Sequence, residues 1–204
     1  MTTPREISME AYGLVPGYCT HCKWHRKLST PHLAECPAWA DKPACHEIHG
    51  SGLWVGAAEA RADSRFVAVV GILCADSRRR MGDKVPLPKV PYLLLDHPDR
   101  EFGLLDKAPT AWDFMDEHLR RGPMLVHCHA GASRSPAVVA GWMMTRRHEV
   151  PAGSSRLRAR VAVQRLTDQR PPAMFLWPGF CEELLQLERD LARKNKVARQ
   201  RAGD

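Results

Sequence analysis

The stretch Met124-Leu-Val-His-Cys-His-Ala-Gly-Ala-Ser-Arg-Ser-Pro136 decides how the rest of the chain is interpreted. It begins as a short apolar strand, continues as a loop from Cys128 to Arg134 and leads into an apolar helix. Because a helix starts where the loop ends, unpaired backbone amides and the positive end of the helix dipole point into the loop. A cysteine, five small or polar residues and an arginine can therefore surround one tetrahedral oxyanion, with the sulfur at the bottom of the site.

The side chains of this loop suit a phosphate site that carries its own nucleophile. The amides and the dipole also favour a thiolate, so the pKa of Cys128 should lie below the ordinary value of about 8.5. Arg134 has a planar guanidinium that binds two phosphate oxygens at once, which a lysine could not do. Ser135 can donate a hydrogen bond to the sulfur and help it leave a phosphocysteine, and Gly131 permits a tight turn with inward amides.

The loop resembles the active-site loop of the protein tyrosine phosphatase superfamily at His127, Cys128, Gly131, Arg134 and Ser135. Residues 130–136 are most similar to the dual-specificity branch of that superfamily. The resemblance implies an α/β fold with a small central, mostly parallel sheet of four to five strands flanked by helices. It also implies a two-step hydrolysis in which Cys128 attacks phosphorus and His127 holds the loop and its thiolate in place. The phosphate would be bound by His129, Ala130, Gly131, Ala132, Ser133 and Arg134.

The implied reaction also needs a proton donor for the leaving group, and a carboxylic acid on a loop above the pocket is the simplest choice. Residues 96–103, Asp-His-Pro-Asp-Arg-Glu-Phe-Gly, follow a predicted strand as a polar, turn-rich loop. Asp96 and Asp99 are both chemically suitable. The family resemblance favours Asp96, which would donate a proton in the first step and accept one from water in the second.

Residues 1–50 are rich in cysteine, histidine and proline and have no sustained apolar period, so such a segment needs something besides a core to hold it. A structural zinc knob is one interpretation, because Cys19 and Cys22 have the spacing of a zinc knuckle. The open ligand sets are Cys19, Cys22, Cys36 and Cys45, or Cys19, Cys22, His32 and Cys36, with His49 as a further substitute. The alternative is an arm with unpaired thiols and surface histidines.

From Ser51 onward the pattern alternates between apolar strands and helices, which predicts a catalytic domain at 51–192 followed by a basic tail at 193–204. The predicted strands cover residues 53–56, 66–74, 90–95 and 124–127. The predicted helices cover residues 110–121, with Thr110 as N-cap, 137–144, 154–168 and 178–191. Residues 75–89, with three arginines and two prolines, are predicted to form a loop.

The composition agrees with a globular protein: 204 residues, 44% hydrophobic and 26% charged. The sequence shows neither an apolar signal peptide nor a membrane span, and we expect a cytoplasmic protein. Seven cysteines are an odd number, and a thiolate nucleophile must stay reduced, so free thiols or metal ligands fit better than disulfides. Cys74 could in principle pair with Cys128, although a core thiol is the simpler interpretation.

Three functions are consistent with these patterns. The leading hypothesis is a phosphatase acting on phosphotyrosine, phosphoserine or phosphothreonine in proteins, without a cofactor for catalysis. The second is a phosphatase acting on RNA 5′ ends, nucleotides or phosphoinositides, which would use the net charge of +7. The third is an inert phosphatase-like binding module built around the zinc knob. The charge alone does not favour a nucleic-acid partner.

Overall fold

A five-stranded sheet lies at the centre of the computed structural model, which describes residues 44–48, 50–146, 158–169 and 178–202. The strands are β1 (Cys45–Ile48), β2 (Leu53–Gly56), β3 (Ala68–Ile72), β4 (Tyr92–Leu95) and β5 (Met124–His127). Their order in the sheet is β1-β2-β5-β3-β4. All neighbours are parallel except β1, which pairs antiparallel with β2. The predicted small, mostly parallel sheet is confirmed.

Helices flank this sheet. The α-helices are α1 (Ala75–Met81), α2 (Leu104–Leu119), α3 (Arg134–Thr145), α4 (Arg158–Gln169) and α5 (Pro178–Ala202), and short 3-10 helices cover Ala58–Ala62 and Gly82–Lys84. α3 is buried from Arg134 to Met144 and contacts α2, α4, α5 and the sheet. Apolar residues on all sides of this helix explain its central position, as predicted.

The start of α2 differs from its prediction. The helix begins at Leu104, whereas Thr110 was expected as the N-cap, and that expectation is wrong. Gly103 precedes it with a φ of 91°, a left-handed conformation that glycine adopts without strain. The carboxylate of Glu183 on α5 accepts hydrogen bonds from the backbone amides of Gly103 at 3.1 Å and Leu105 at 2.8 Å. A distant carboxylate therefore binds the free amides of this helix start.

The structure has a helix where the sequence predicts a loop. α1 occupies the first part of residues 75–89, and its N-cap is Cys74, whose sulfur accepts a hydrogen bond from the Ser77 amide at 3.4 Å. Cysteine is not among the usual capping residues, so the sequence pattern did not indicate a helix start here. The arginine-rich stretch is thus placed on a short helix directly after β3.

The sheet and the last helix both extend beyond the predicted domain limits. β1 lies before Ser51 and is an edge strand of the sheet, and α5 continues through the predicted tail to Ala202. Residues 193–202 are therefore helical. In the described part of the chain, no helix has both the length and the apolar character that crossing a membrane requires.

Candidate active site

Three segments from different parts of the chain meet at one edge of the sheet. β3, β4 and β5 are parallel, with Gly71 opposite His127 and Ile72 opposite Leu95. The residues that follow these strands therefore leave the sheet at the same edge. This brings together the start of α1, the loop that begins at Asp96 and the loop that begins at Cys128.

Cys128 lies at the bottom of this site with 2% of its surface exposed. The hydroxyl of Ser135 donates a hydrogen bond to its sulfur at 3.4 Å. Burial by itself raises the pKa of the thiol, but the positive charge of Arg134 and hydrogen bonds from the side chain and backbone of Ser135 outweigh it, and the net pKa is lowered. The site thus favours the nucleophilic thiolate.

Arg134 is also buried, with 4% exposure, and begins α3. Its Nη1 donates a hydrogen bond to the backbone oxygen of His97 at 3.1 Å, which connects the two loops. Its Nε lies 3.6 Å from Oδ1 of Asp99 and makes no hydrogen bond within the described residues. A buried guanidinium N–H without a partner is available to a ligand oxygen.

The loop between the nucleophile and the arginine has the geometry of an anion site. Gly131 has a φ of 69°, so the turn there uses the left-handed conformation. Ala132 and Ser133 are buried, and the Ser133 hydroxyl and Nδ1 of His129 make no hydrogen bond within the described residues. The predicted phosphate-binding residues 129–134 thus lie between Cys128 and the first turn of α3, where the positive end of the helix dipole favours an anion.

His127 supports the loop from below. It is fully buried, and its Nδ1 lies 3.0 Å from the backbone oxygen of Cys128, so this nitrogen carries the proton and donates it. Burial lowers the pKa of His127 to about 4; the Cys128 hydrogen bond opposes this effect, and the charges of Arg61 and Arg134 add to it. The imidazole is therefore neutral at neutral pH and stacks on Tyr92, with ring centres 6.1 Å apart.

The two candidate acids occupy different positions at the rim. Oδ2 of Asp96 accepts a hydrogen bond from Arg78 on α1 at 3.1 Å, and its backbone oxygen accepts one from Nζ of Lys107 on α2 at 3.0 Å. Asp99 instead lies beside Arg134, and its charge opposes ionisation of Cys128. The sequence predicts a loop at Arg78 and does not connect it with Asp96, because only the folded chain brings α1 to the acid loop.

The proposed zinc ligands fall mainly on residues outside the described ranges, namely Cys19, Cys22, His32, Cys36 and His49. Cys45 is described, and it is buried on β1 in a cluster with Phe66 and Leu125. Within the described ranges, no group of three or more His, Cys, Asp or Glu residues could hold a metal ion. The described cysteines, Cys74 and Cys128 included, form no disulfide with one another.

Known proteins with a similar sequence or fold include phosphatases. No protein-family model matches the chain. Mouse dual specificity protein phosphatase 19 is 33% identical over 92 residues, which are 45% of this chain and 37% of that relative. The chain therefore matches well under half of the length of this relative.

Solved structures extend the likeness to most of the chain. Human DUSP28 has a TM-score of 0.59 and 26% identity, covering 74% of this chain and 97% of that structure. A mouse putative dual specificity phosphatase, solved in complex with zinc tungstate, has a TM-score of 0.57 and 24% identity, covering 76% of this chain and 93% of its own. The sequence relative is thus a dual specificity protein phosphatase, and the fold of the chain is similar to the folds of DUSP28 and of this mouse phosphatase.

Proposed function

We propose that this protein is a cysteine-dependent phosphatase that hydrolyses phosphomonoesters on tyrosine, serine or threonine side chains of proteins. The observation that carries the proposal is the contact set around Cys128. A buried thiol with a lowered pKa accepts a hydrogen bond from Ser135 and feels the charge of Arg134, whose Nε makes no hydrogen bond within the described residues. This arrangement suits nucleophilic attack on a bound dianion.

In the first step the Cys128 thiolate attacks phosphorus. The S–P bond forms, the bond from phosphorus to the leaving oxygen breaks, and Asp96 gives its proton to that oxygen. Arg134 and the amides of residues 129–134 stabilise the charge on the three remaining phosphate oxygens. The products are a phosphocysteine, the dephosphorylated hydroxyl and an ionised Asp96.

In the second step a water molecule attacks the phosphocysteine. Asp96 accepts a proton from the water, the new P–O bond forms and the S–P bond breaks. The electron pair returns to the sulfur, and the Ser135 hydroxyl, 3.4 Å from it, stabilises the departing thiolate. Inorganic phosphate leaves, and the thiolate and the protonated Asp96 are restored. His127 holds the backbone of Cys128 and is a poor proton acceptor, because burial lowers its pKa to about 4.

Protein substrates are favoured because a relative that matches the chain in sequence is a dual specificity protein phosphatase. The other substrate classes are RNA 5′ ends, nucleotides and phosphoinositides. Activity against matched phosphopeptides, nucleotides and a phosphoinositide separates these classes. We expect the highest kcat/KM for a phosphopeptide, and a higher value for either other class would overturn this part of the proposal.

The reaction itself is tested with a generic aryl phosphate under reducing conditions. We expect turnover by the wild type, none by Cys128→Ser, and large losses for Arg134→Lys and Asp96→Asn. Cys181→Ser is the matched control, because this thiol is buried on α5 and burial raises its pKa to about 12. An inactive wild type would instead support the inert binding module. Asp99→Asn distinguishes the two candidate acids.

We also propose a structural zinc ion bound by Cys19, Cys22, His32 and Cys36, the ligand set that leaves Cys45 in its buried position on β1. Metal analysis of the purified protein tests this directly. We expect about one zinc per chain, and its absence from protein purified without chelator would contradict the proposal. We also propose a cytoplasmic location, because the thiolate nucleophile must remain reduced.

A further inference from the structure

One contact at the rim of the site connects an arginine with the proposed acid. Nη2 of Arg78 donates to Oδ2 of Asp96 at 3.1 Å, although the two residues are 18 positions apart in the chain. The contact follows from the sheet. Arg78 lies on the helix after β3, Asp96 follows β4 directly, and these strands are parallel neighbours with Ile72 opposite Leu95.

The helix that carries Arg78 is anchored near the nucleophile. Its N-cap, Cys74, lies close enough to Arg134 for that charge to lower the pKa of its thiol, together with hydrogen bonds from Ser77 that outweigh the opposing effect of burial. α1 thus starts beside the phosphate loop, and Arg78 follows one turn later at the rim. Its side chain is 39% exposed, and that of Asp96 is 61% exposed.

We propose that Arg78 is a positioning residue for the reaction: it holds Oδ2 of Asp96, so that the other carboxyl oxygen, Oδ1, carries the proton exchanged with the leaving group and with water. This inference rests on the proposed function and on Asp96 as the acid. The inference adds Arg78, from α1, to the site. It assigns Oδ2 of Asp96 to the contact with Arg78 and Oδ1 to the proton transfer.

The contact persists through both proton transfers. In the first step the proton leaves Oδ1 for the leaving oxygen, and the new carboxylate is paired with the guanidinium. In the second step Oδ1 takes a proton from the attacking water, and Oδ2 still accepts the hydrogen bond as a carbonyl oxygen. Arg78 keeps its own protons throughout, because a guanidinium is not deprotonated in proteins.

The charged groups around Asp96 come from several elements. Arg78 reaches it from α1, and Lys107 on α2 binds its backbone oxygen. Arg134 at the start of α3 binds the backbone of the next residue, and Asp99 on the same loop lies beside that arginine. Of these groups, Arg78 is the one whose side chain hydrogen bonds to the carboxyl group of Asp96 within the described residues.

The test compares Arg78→Met with Arg79→Met on two aryl phosphates. Arg79 is a matched control, because it lies on the same helix, pairs with Asp76 and has 79% of its side chain exposed. Phenyl phosphate needs a proton donor, since phenol has a pKa of about 10, whereas dinitrophenolate leaves without one. For a partly exposed pair we expect a loss in kcat/KM of roughly two- to fivefold on phenyl phosphate, none on dinitrophenyl phosphate, and no loss for Arg79→Met.

Rescue by a conservative variant provides a readout that a merely structural role would not change. Arg78→Lys keeps a positive charge and a hydrogen-bond donor at this position, so it should recover part of the kcat/KM that Arg78→Met loses on phenyl phosphate. Added salt should reduce the difference between the wild type and Arg78→Met on this substrate.

Several outcomes would overturn the inference. An equal loss on both substrates would make Arg78 a substrate-binding residue, and a failure of Arg78→Lys to recover any of the loss on phenyl phosphate would mean that its charge does not act on the acid. If Arg78→Met lowers kcat/KM equally in the wild type and in Asp96→Asn, Arg78 does not act through the acid. If Asp96→Asn retains full activity while Cys128→Ser is inactive, this inference fails and the proposed phosphatase activity stands. If the wild type is inactive, both fail.

Discussion

At the scale of single residues, one hydroxyl group adds to the effect of Arg134 on how readily Cys128 ionises. Ser135 contacts the sulfur with its side chain and its backbone, and both contacts lower the pKa of the thiol. We predict that Ser135→Ala raises this pKa, because the thiolate loses the hydrogen bond from the hydroxyl. The same variant should accumulate phosphocysteine, because the departing thiolate loses its donor.

The pH dependence of alkylation by iodoacetamide measures the first effect, and a pre-steady-state burst of leaving group measures the second. Cys181 is an internal reference, since its pKa of about 12 should leave it unmodified near neutral pH. An unchanged alkylation midpoint in Ser135→Ala would show that Arg134 and the loop amides stabilise the thiolate alone.

His127 connects the site to the stability of the fold at acidic pH. Its pKa is about 4 in the folded protein and about 6.5 in an unfolded chain, so the unfolded chain binds more protons between these values. Stability is therefore lost as the pH falls through this range. We predict that this residue lowers the free energy of unfolding by about 2 kcal/mol between about pH 7.5 and pH 5.

Urea unfolding of the wild type and His127→Gln at the two pH values tests this prediction. The variant is expected to be less stable at neutral pH and to lose about 2 kcal/mol less on acidification. Equal losses in both proteins would mean that other groups determine the pH dependence.

At the scale of elements, the close contact between α2 and α3 fixes the helix that presents Arg134. A Cβ on Gly141 would lie 2.6 Å from a ring carbon of Trp112, and the indole N–H of Trp112 donates to the Val138 backbone oxygen at 2.9 Å. We predict that Gly141→Ala destabilises the protein by about 1–3 kcal/mol through overpacking. Thermal or urea unfolding would measure this loss.

A double-mutant cycle tests whether steric overlap with Trp112 causes the destabilisation by Gly141→Ala. Trp112→Phe removes the ring atoms that a new methyl group would meet, although it also removes the hydrogen bond to Val138. The cost of Gly141→Ala should therefore be smaller in the Trp112→Phe background. Strictly additive effects would contradict steric overlap at this contact.

Elements with a strong local pattern were predictable from the sequence. The bounds of β5 are those predicted, and α3 is buried as its apolar composition indicates. The start of α2 was not predictable, because it depends on Glu183, which binds the amide of Gly103 from 80 positions away. α1 was missed because its cap is a cysteine. Cys128, Arg134 and Ser135 were identifiable because they lie on one continuous motif, whereas Arg78 meets Asp96 only through strand pairing.

At the scale of the whole molecule, β1 makes part of the N-terminal region integral to the domain. Glycines at 50 and 52 have φ values of 63° and 74° in the turn that joins β1 to β2. Ile48 at the end of β1 is 3% exposed and belongs to the main core cluster with Leu53 and Met124. The sequence Cys-His-Glu-Ile is too short and polar to indicate a strand by itself.

We predict that Ile48→Ala lowers the free energy of unfolding by about 2–5 kcal/mol, as for other buried isoleucines. Val197→Ala on α5 is the control, because this side chain is 46% exposed and its loss should cost less than about 0.5 kcal/mol. Urea unfolding of the two variants measures the difference. Similar small losses would show that β1 contributes little to the domain.

The position of β5 between β2 and β3 has a consequence for how the protein is made. β5 pairs with both neighbours, Leu53 and Ala68 each facing Met124, while β2 and β3 do not pair with each other. During synthesis β2 and β3 both emerge from the ribosome before β5, the strand that joins them. The same strand leads directly to Cys128, so completion of the sheet and formation of the candidate active site are one late event. An unfinished chain would therefore carry an ordinary thiol, and its reactivity would appear only when the fold is complete.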